Sequence, residues 1–105
     1  MSLRVVYERL ARQDIDEHAD YIAEERPLSA VEFVDAIERD VARLAEMPEL
    51  GSPRAFQHPR LAGIRMWVLT GFRNYLLFYR VAGDALQVLH VSAKMRQALE
   101  HRRAY

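Results

Sequence analysis

The apolar positions of this chain change period twice, and the changes divide it into elements. Leu3–Tyr7 (LRVVY) is a short β-branched run that predicts an opening strand. It has no hairpin partner beside it in sequence, so it must join strands formed later. From Arg9 to Glu25 the spacing becomes helical. Ala11, Ile15, Ala19 and Ile22 recur at i, i+4, i+8 and i+11, one apolar stripe. Asp14, Asp16, Glu17, Asp20 and Glu24 fall mostly off that stripe and are expected on a solvated face. Pro27 closes the segment by disfavouring helical geometry at Arg26. Ala30, Phe33, Val34, Ile37, Val41 and Leu44 then mark a second amphipathic helix, stopped by Pro48 and Gly51. Its start lies either at Pro27 or at Ser29, where Ser29-Ala30-Val31-Glu32 has the form of a capping box. So short a connection predicts an antiparallel helical hairpin.

Glu49–Gly63 carries Pro53, Pro59 and two glycines and is expected to be a loop crossing from the helices to a sheet. Arg65–Ser92 (RMWVLTGFRNYLLFYRVAGDALQVLHVS) holds three runs rich in β-branched and aromatic residues. Gly71-Phe72-Arg73-Asn74 and Ala82-Gly83-Asp84 separate them, and Gly, Asn and Asp suit tight turns, so the stretch predicts an antiparallel meander. Tyr75–Val81 is apolar or aromatic on both faces apart from Arg80, so something must cover it. In the last run Leu86, Val88 and His90 are expected on one face, with Gln87, Leu89 and Val91 on the other. The order β-α-α-β-β-β gives an α+β fold: a helical hairpin on one face of an antiparallel-rich sheet, the other face open. Residues 1–105 are expected to form a single domain, with 92–105 as a basic C-terminal tail.

Composition narrows the chemistry. Half of the 105 residues are hydrophobic and 29% are charged, a globular balance. The absence of cysteine removes disulfides, thiolate metal sites and cysteine nucleophiles. No run approaches the ~20 apolar residues of a membrane span, and no basic segment with an apolar run opens the chain, so a cytoplasmic protein is expected, with no membrane partner. The net charge of zero conceals an asymmetry: residues 1–50 carry 13 Asp/Glu against 6 Lys/Arg, and residues 51–105 carry 2 against 9. Either acidic helices neutralise a basic sheet, or the second half offers a basic face to nucleic acid or an acidic protein. His18, His58, His90 and His101 lack metal-ligand spacing, and no nucleophile elbow, phosphate loop or dinucleotide fingerprint is present. No metal or other cofactor is implied.

Several motifs together resemble the RelE/ParE superfamily of toxins from type II toxin–antitoxin pairs, and its ParE branch in particular. They are Ala11, Ile15 and Tyr21-Ile22 in the first helix, and Pro27, Ala30 and Phe33 entering the second. Leu44, Pro48 and Gly51 follow at its end, then Leu61-Ala62-Gly63-Ile64-Arg65. Phe72-Arg73-Asn74-Tyr75-Leu76-Leu77-Phe78-Tyr79-Arg80 is the most specific. The resemblance covers nearly the whole chain and implies the fold already read from the pattern. Members similar to ParE are implied to trap DNA gyrase without hydrolysing anything, which implies plasmid stabilization as a role, and to be neutralised by a ParD-like antitoxin.

The RelE branch instead implies a ribosome-dependent endoribonuclease, whose 2′-OH attack needs a base, a cation at the phosphate and an acid. Arg65, Arg96 and Tyr105 are the residues expected to carry it. That branch places an Arg where this chain has Leu69-Thr70, and Lys-rich sequence where it has only Arg54 and Arg60. Its C-terminal basic-then-Tyr motif is matched loosely by Lys94, Arg96 and Tyr105. The ParE-like reading is therefore favoured, although the Arg-Asp pair that ends the last strand of many such chains is missing from His90–Lys94. Arg73, Tyr75, Arg80, Lys94, Arg96, Arg102 and Arg103 are the expected target-binding residues, with Tyr75, beside a turn, expected to be exposed. Trp67 and Tyr79 are expected to pack between the layers. A third reading keeps the fold and antitoxin binding without toxicity.

Overall fold

A computed structural model describes residues 2–94 of the chain. Its elements are β1 (Arg4–Tyr7), α1 (Arg9–Ala23), α2 (Pro27–Glu46), β2 (Ser52–Pro53), β3 (Arg65–Val68), β4 (Tyr75–Ala82) and β5 (Ala85–Ala93). One sheet runs in the order β1-β5-β4-β3-β2. β1 lies parallel to β5, and every other pairing is antiparallel. The α+β architecture, the hairpin and the meander are as the pattern predicts. The stretch expected to be only a loop also contains β2, where Ser52 pairs with Met66 and Pro53 with Arg65. Pro53 cannot donate to a ladder, which suits an edge strand and hid this one from a pattern of alternation.

The α2 stripe forms the centre of the core. Phe33, Ile37, Val41 and Leu44 are fully buried against Leu77, Tyr79, Leu86 and Val88 of the sheet. Each such side chain contributes on the order of 1.5–3 kcal/mol by leaving water. The helix begins with Pro27 in its first turn, and its N-cap is Arg26, with no side-chain capping bond. The Ser29 capping box is therefore not used: proline's fixed φ already suits the first helical position, two residues earlier.

Asp14 corrects the expectation for α1. It is 8% exposed, and Oδ2 accepts the Val91 amide at 3.0 Å and contacts His90 Nδ1 at 2.5 Å. One turn on, His18 Nε2 lies 2.7 Å from the Val91 carbonyl oxygen. The reason lies in the sheet. β1 stops at Tyr7, opposite Val88, and its last bond runs from the Glu8 amide to the Val88 carbonyl. Beyond that point β5 has no strand on this side, and buried backbone groups must find partners. Two α1 side chains four residues apart supply them.

The β4–β5 ladder contains a bulge: Phe78 faces His90 while Tyr79 faces Val88, leaving Leu89 as the extra residue. The bulge reverses the phase of β5. Leu86, Val88, Val91 and Ala93 are all buried, so Val91, not His90, shares the helix-facing side with Leu86 and Val88. Tyr75 is also corrected. It opens β4 opposite Ala93, is 8% exposed, and its ring stands edge-on 4.8 Å from Phe33 and 5.2 Å from His18.

Tyr79 is buried as expected and ties the layers together. Its hydroxyl donates to the Pro48 carbonyl at 2.6 Å and accepts the Gly51 amide at 2.9 Å. A Cβ at Gly51 would stand under 3.0 Å from Tyr79 Oη, Cε1 and Cζ, so this close approach requires glycine. Trp67 packs between layers likewise. Its Nε1 donates to Asp40 Oδ2 at 2.9 Å, and the same oxygen accepts the Thr70 amide at 2.8 Å.

Replacing Asp14 by Ala leaves the Val91 amide and the His90 ring without their acceptor. The expected loss is about 1–3 kcal/mol, measured as a lower urea midpoint at unchanged slope. Asp14→Asn, which keeps an acceptor oxygen, is expected to recover part of it. Burial raises the Tyr79 hydroxyl above its usual 10.0, against the lowering effects of the Gly51 amide and the Arg65 charge. The unfolded chain then loses this proton first, so stability is intact below pH 10 and falls as pH rises beyond it. Tyr7, also raised by burial, acts in the same direction. Thermal melts across the alkaline range are expected to show a shallower decline for Tyr79→Phe than for the unsubstituted chain.

Candidate partner-binding site

The two sheet faces differ. Tyr75, Leu77 and Tyr79 turn toward the helices, and the alternate residues of β4, Leu76, Phe78 and Arg80, turn away from them. Register carries that second face across the sheet: Met66 pairs with Phe78, Val68 with Leu76, and Arg80 with Gln87. No helix covers this face among the described residues. Part of it is a groove of about 430 Å³, mostly apolar, lined by Phe78, Leu89 and His90 from the sheet. Leu10 at the start of α1 and Phe56, Leu61 and Ile64 of the long connection complete it, with Arg60 and Arg80 at its rim. Phe78 stacks on His90 with ring centroids 5.8 Å apart.

The cations of the second half divide into two kinds. Arg65 is a structural residue. It pairs with Tyr79, and its Nη1 donates to the carbonyls of Gly51 at 2.7 Å and Glu49 at 3.2 Å, fixing the turn after α2. Arg80 is held in place by neutral acceptors, Nη1 on the Arg60 carbonyl at 2.6 Å and Nε on Gln87 Oε1 at 3.2 Å. Among the described residues its charge meets no carboxylate. Arg73 is exposed in the turn before β4, and Lys94, also exposed, follows β5 and donates its amide to the Asn74 carbonyl at 2.8 Å. The turn at Gly71, with φ of +82°, and the Tyr75–Ala93 pairing bring Arg73 and Lys94 to one end of the sheet. Arg80 lies toward the other end, on the order of 20 Å along an extended strand.

The expected target-binding residues are thus split between two ends of the sheet, with Tyr75 taken into the core. Arg96, Arg102, Arg103 and Tyr105 lie outside the described residues. Among the described residues Arg4 pairs with Asp84 at 3.3 Å, and the other close contact of this kind is His90 Nδ1 with Asp14 at 2.5 Å. Acidic helices neutralising a basic sheet through direct pairs is therefore not what the described residues show. Nor do they contain a group of three or more His, Asp or Glu placed to hold a metal. No described helix is long and apolar enough to cross a membrane.

The ribonuclease chemistry would need base, cation and acid within hydrogen-bond reach of one another. Arg65 is committed to two carbonyls and sits on the helix-facing side, away from Arg80. His90 borders the groove with Asp14 at its Nδ1, but the same carboxylate oxygen carries the Val91 amide, so this pair fastens α1 to β5. Sequence reasoning missed Asp14, His18 and Asp40 as structural acceptors and partners. The one available signal was that Asp14 and His18 stand four apart, interleaved with the apolar stripe.

Over residues 5–98 the chain matches the family model described as the ParE toxin of the type II toxin–antitoxin system, parDE. Among solved structures it is similar to a chain titled as the chromosomal ParDE toxin–antitoxin system from P. aeruginosa. The identity is 24%, covering 88% of this chain and 96% of that one, with a TM-score of 0.71. It is also similar to a chain of the toxin–antitoxin complex RelBE2 from Mycobacterium tuberculosis, at 21% identity over 89% of this chain and 99% of that one, TM-score 0.58. At these identities the likeness is one of fold. No curated protein sequence matches the chain. The family match spans all seven elements, from within β1 to beyond the end of β5, and on it this chain belongs to the ParE toxin family of type II toxin–antitoxin systems.

Proposed function

We propose that this ParE-type toxin inhibits DNA gyrase by binding it, without catalysing a reaction of its own, and that a ParD-like antitoxin holds it inactive. The single observation that carries the reading is the ParE family match over residues 5–98. The arrangement of cations is in keeping with it. Among the described residues Arg73, Arg80 and Lys94 meet no carboxylate, as a surface meant for an acidic partner requires. Arg65, which a ribonuclease would need at a phosphate, is spent on the Glu49 and Gly51 carbonyls. Target and antitoxin then compete for the toxin by mass action: a partner that binds the same basic and apolar surface more tightly withdraws the toxin from its target.

Target contact is assigned to Arg73 and Lys94 at one end of the sheet, continued by Arg96, Arg102 and Arg103 of the tail, with Arg80 at the groove rim. Charged rim residues act mainly on association rate and partner choice.

Pulse-labelling of DNA and protein synthesis after induction of this chain alone in bacteria separates the readings. An early fall in DNA synthesis with translation intact is expected. An immediate fall in translation would sink the proposal and promote the ribosome-dependent endoribonuclease, and no effect on either would leave an inert antitoxin-binding relative. Removing residues 94–105 is expected to abolish toxicity while leaving a cooperatively folded domain; loss of folding would assign the tail to the core. Arg73→Glu is expected to weaken inhibition in purified assays about 5- to 30-fold, the range of 1–2 kcal/mol, with little change in melting temperature.

A further inference from the structure

The sheet has two edges, and they are not alike. β2, at one edge, is two residues long and contains Pro53, which offers no amide to a neighbour. β1, at the other, has no proline and no bulge. On β1 the Arg4 amide bonds the Asp84 carbonyl and the Glu8 amide bonds the Val88 carbonyl, both toward β5. In a parallel pair alternate residues of a strand face the partner. The even-numbered residues of β1 therefore bond inward, and the backbone groups of Val5 and Tyr7 point outward from the sheet. The amide of Leu3, of the same parity, is taken by the Ala45 carbonyl at 2.9 Å. Within β1, and among the described residues, four groups remain on the edge: the amide and carbonyl of Val5 and those of Tyr7. Beside them Val5 and Tyr7 border a groove of about 500 Å³ shared with α1 and α2, and Val5 is 36% exposed.

We propose that this edge pairs with β1 of a second copy, antiparallel, about a two-fold axis at Val6. In that register Val5 of one copy lies opposite Tyr7 of the other. The two residues of such a hydrogen-bonded pair exchange both bonds, so the two symmetric pairs satisfy the outward amides and carbonyls of Val5 and Tyr7 in each copy. Charge selects the same register: Arg4 then faces Glu8 of the other copy, and by symmetry Glu8 faces Arg4. Opposite charges directly across strands are favourable, and like charges are not. A shift of two residues along the strand would break the Val5–Tyr7 exchange and lose the Arg4–Glu8 facing. The contact is isologous and closes on itself, which gives a dimer and not a fibre. Two four-residue strands are a small contact beside the about 1,200 Å² of a stable interface, so the dimer forms and dissociates with concentration.

The chain has no cysteine, which permits a register-specific test. At the axis Val6 meets Val6 of the other copy in a non-hydrogen-bonded pair, with Cα atoms about 4.5 Å apart, inside the span of a disulfide. Val6→Cys is expected to form a disulfide-linked dimer under mild oxidation. Val5→Cys, facing Tyr7 of the other copy, and Val81→Cys, exposed on β4, are expected to cross-link at least about tenfold more slowly. Sedimentation velocity on the unsubstituted chain is expected to show a dimer that dissociates on dilution, so the test does not depend on the variants folding. Arg4→Glu is expected to shift that equilibrium toward monomer, and adding Glu8→Arg to shift it back. A chain that is monomeric throughout the dilution series would overturn the proposal, as would a dimer that Val6→Cys fails to trap selectively.

Discussion

Everything in this fold depends on how the end of β1 leaves β5 half-paired. β1 covers β5 only from Ala85 to Val88, yet β5 continues to Ala93 with its inner face buried. An open edge in that position would expose the Val91 amide and carbonyl inside the protein, at a cost of about 1–3 kcal/mol for each unsatisfied group. Asp14 and His18 remove that cost by standing where a strand would have been. This fixes both the rotation of α1 about its axis and its height along the sheet. The position of α2 follows, since α1 and α2 pack as a hairpin over the same face. A polar interaction at the sheet edge thus sets the geometry within which the apolar core is packed.

The other end of the helical layer is fastened in the same manner, by polar groups reaching sheet or turn backbone. Tyr79 bonds Pro48 and Gly51, Arg65 bonds Glu49 and Gly51, and Asp40 bonds Trp67 and Thr70. All three sites secure irregular backbone just outside regular elements, where ladder bonds run out. Hydrophobic burial supplies most of the driving force, but it is non-directional. These directed bonds select one docking of the hairpin among those the apolar stripes would tolerate.

What could be read from the sequence follows the same division. The α2 stripe, the meander and the α+β order were legible because apolar periodicity is a local signal that repeats. Asp14 and His18 were not, because a polar residue on a helix declares its partner only when the strand it meets is known. The inverted phase of β5 came from a bulge of one residue, Leu89, and nothing in ALQVLHVSA marks it. Tyr75 was misplaced for a related reason: closeness to a turn suggests exposure, but pairing with Ala93 and contact with Phe33 place its ring inward. The family motif Phe72–Arg80 was the most specific part of the sequence, and its alternate residues Tyr75, Leu77 and Tyr79 are buried. Much of that motif therefore records packing, and its outward members, Arg73, Leu76, Phe78 and Arg80, are left for a partner.

That separation bears on what kind of protein this fold supports. A site that makes and breaks bonds holds its acid, base and charged groups together, rigidly and within a few ångströms. Here Arg60 and Arg80 border the apolar groove, and Arg73 and Lys94 lie exposed toward the other end of β4. Asp14, His18, Asp40, Arg65 and Tyr79 each spend polar atoms on backbone, and Asp14 and Asp40 also bond the His90 and Trp67 rings. Dispersed charge around apolar surface suits recognition of a large partner, where steering and complementarity act over the whole face. The uncovered sheet face and the basic excess of the second half are then two aspects of one surface. Arg80 projects from a strand left bare by the two-helix cover, and Arg73 stands in the turn just before it.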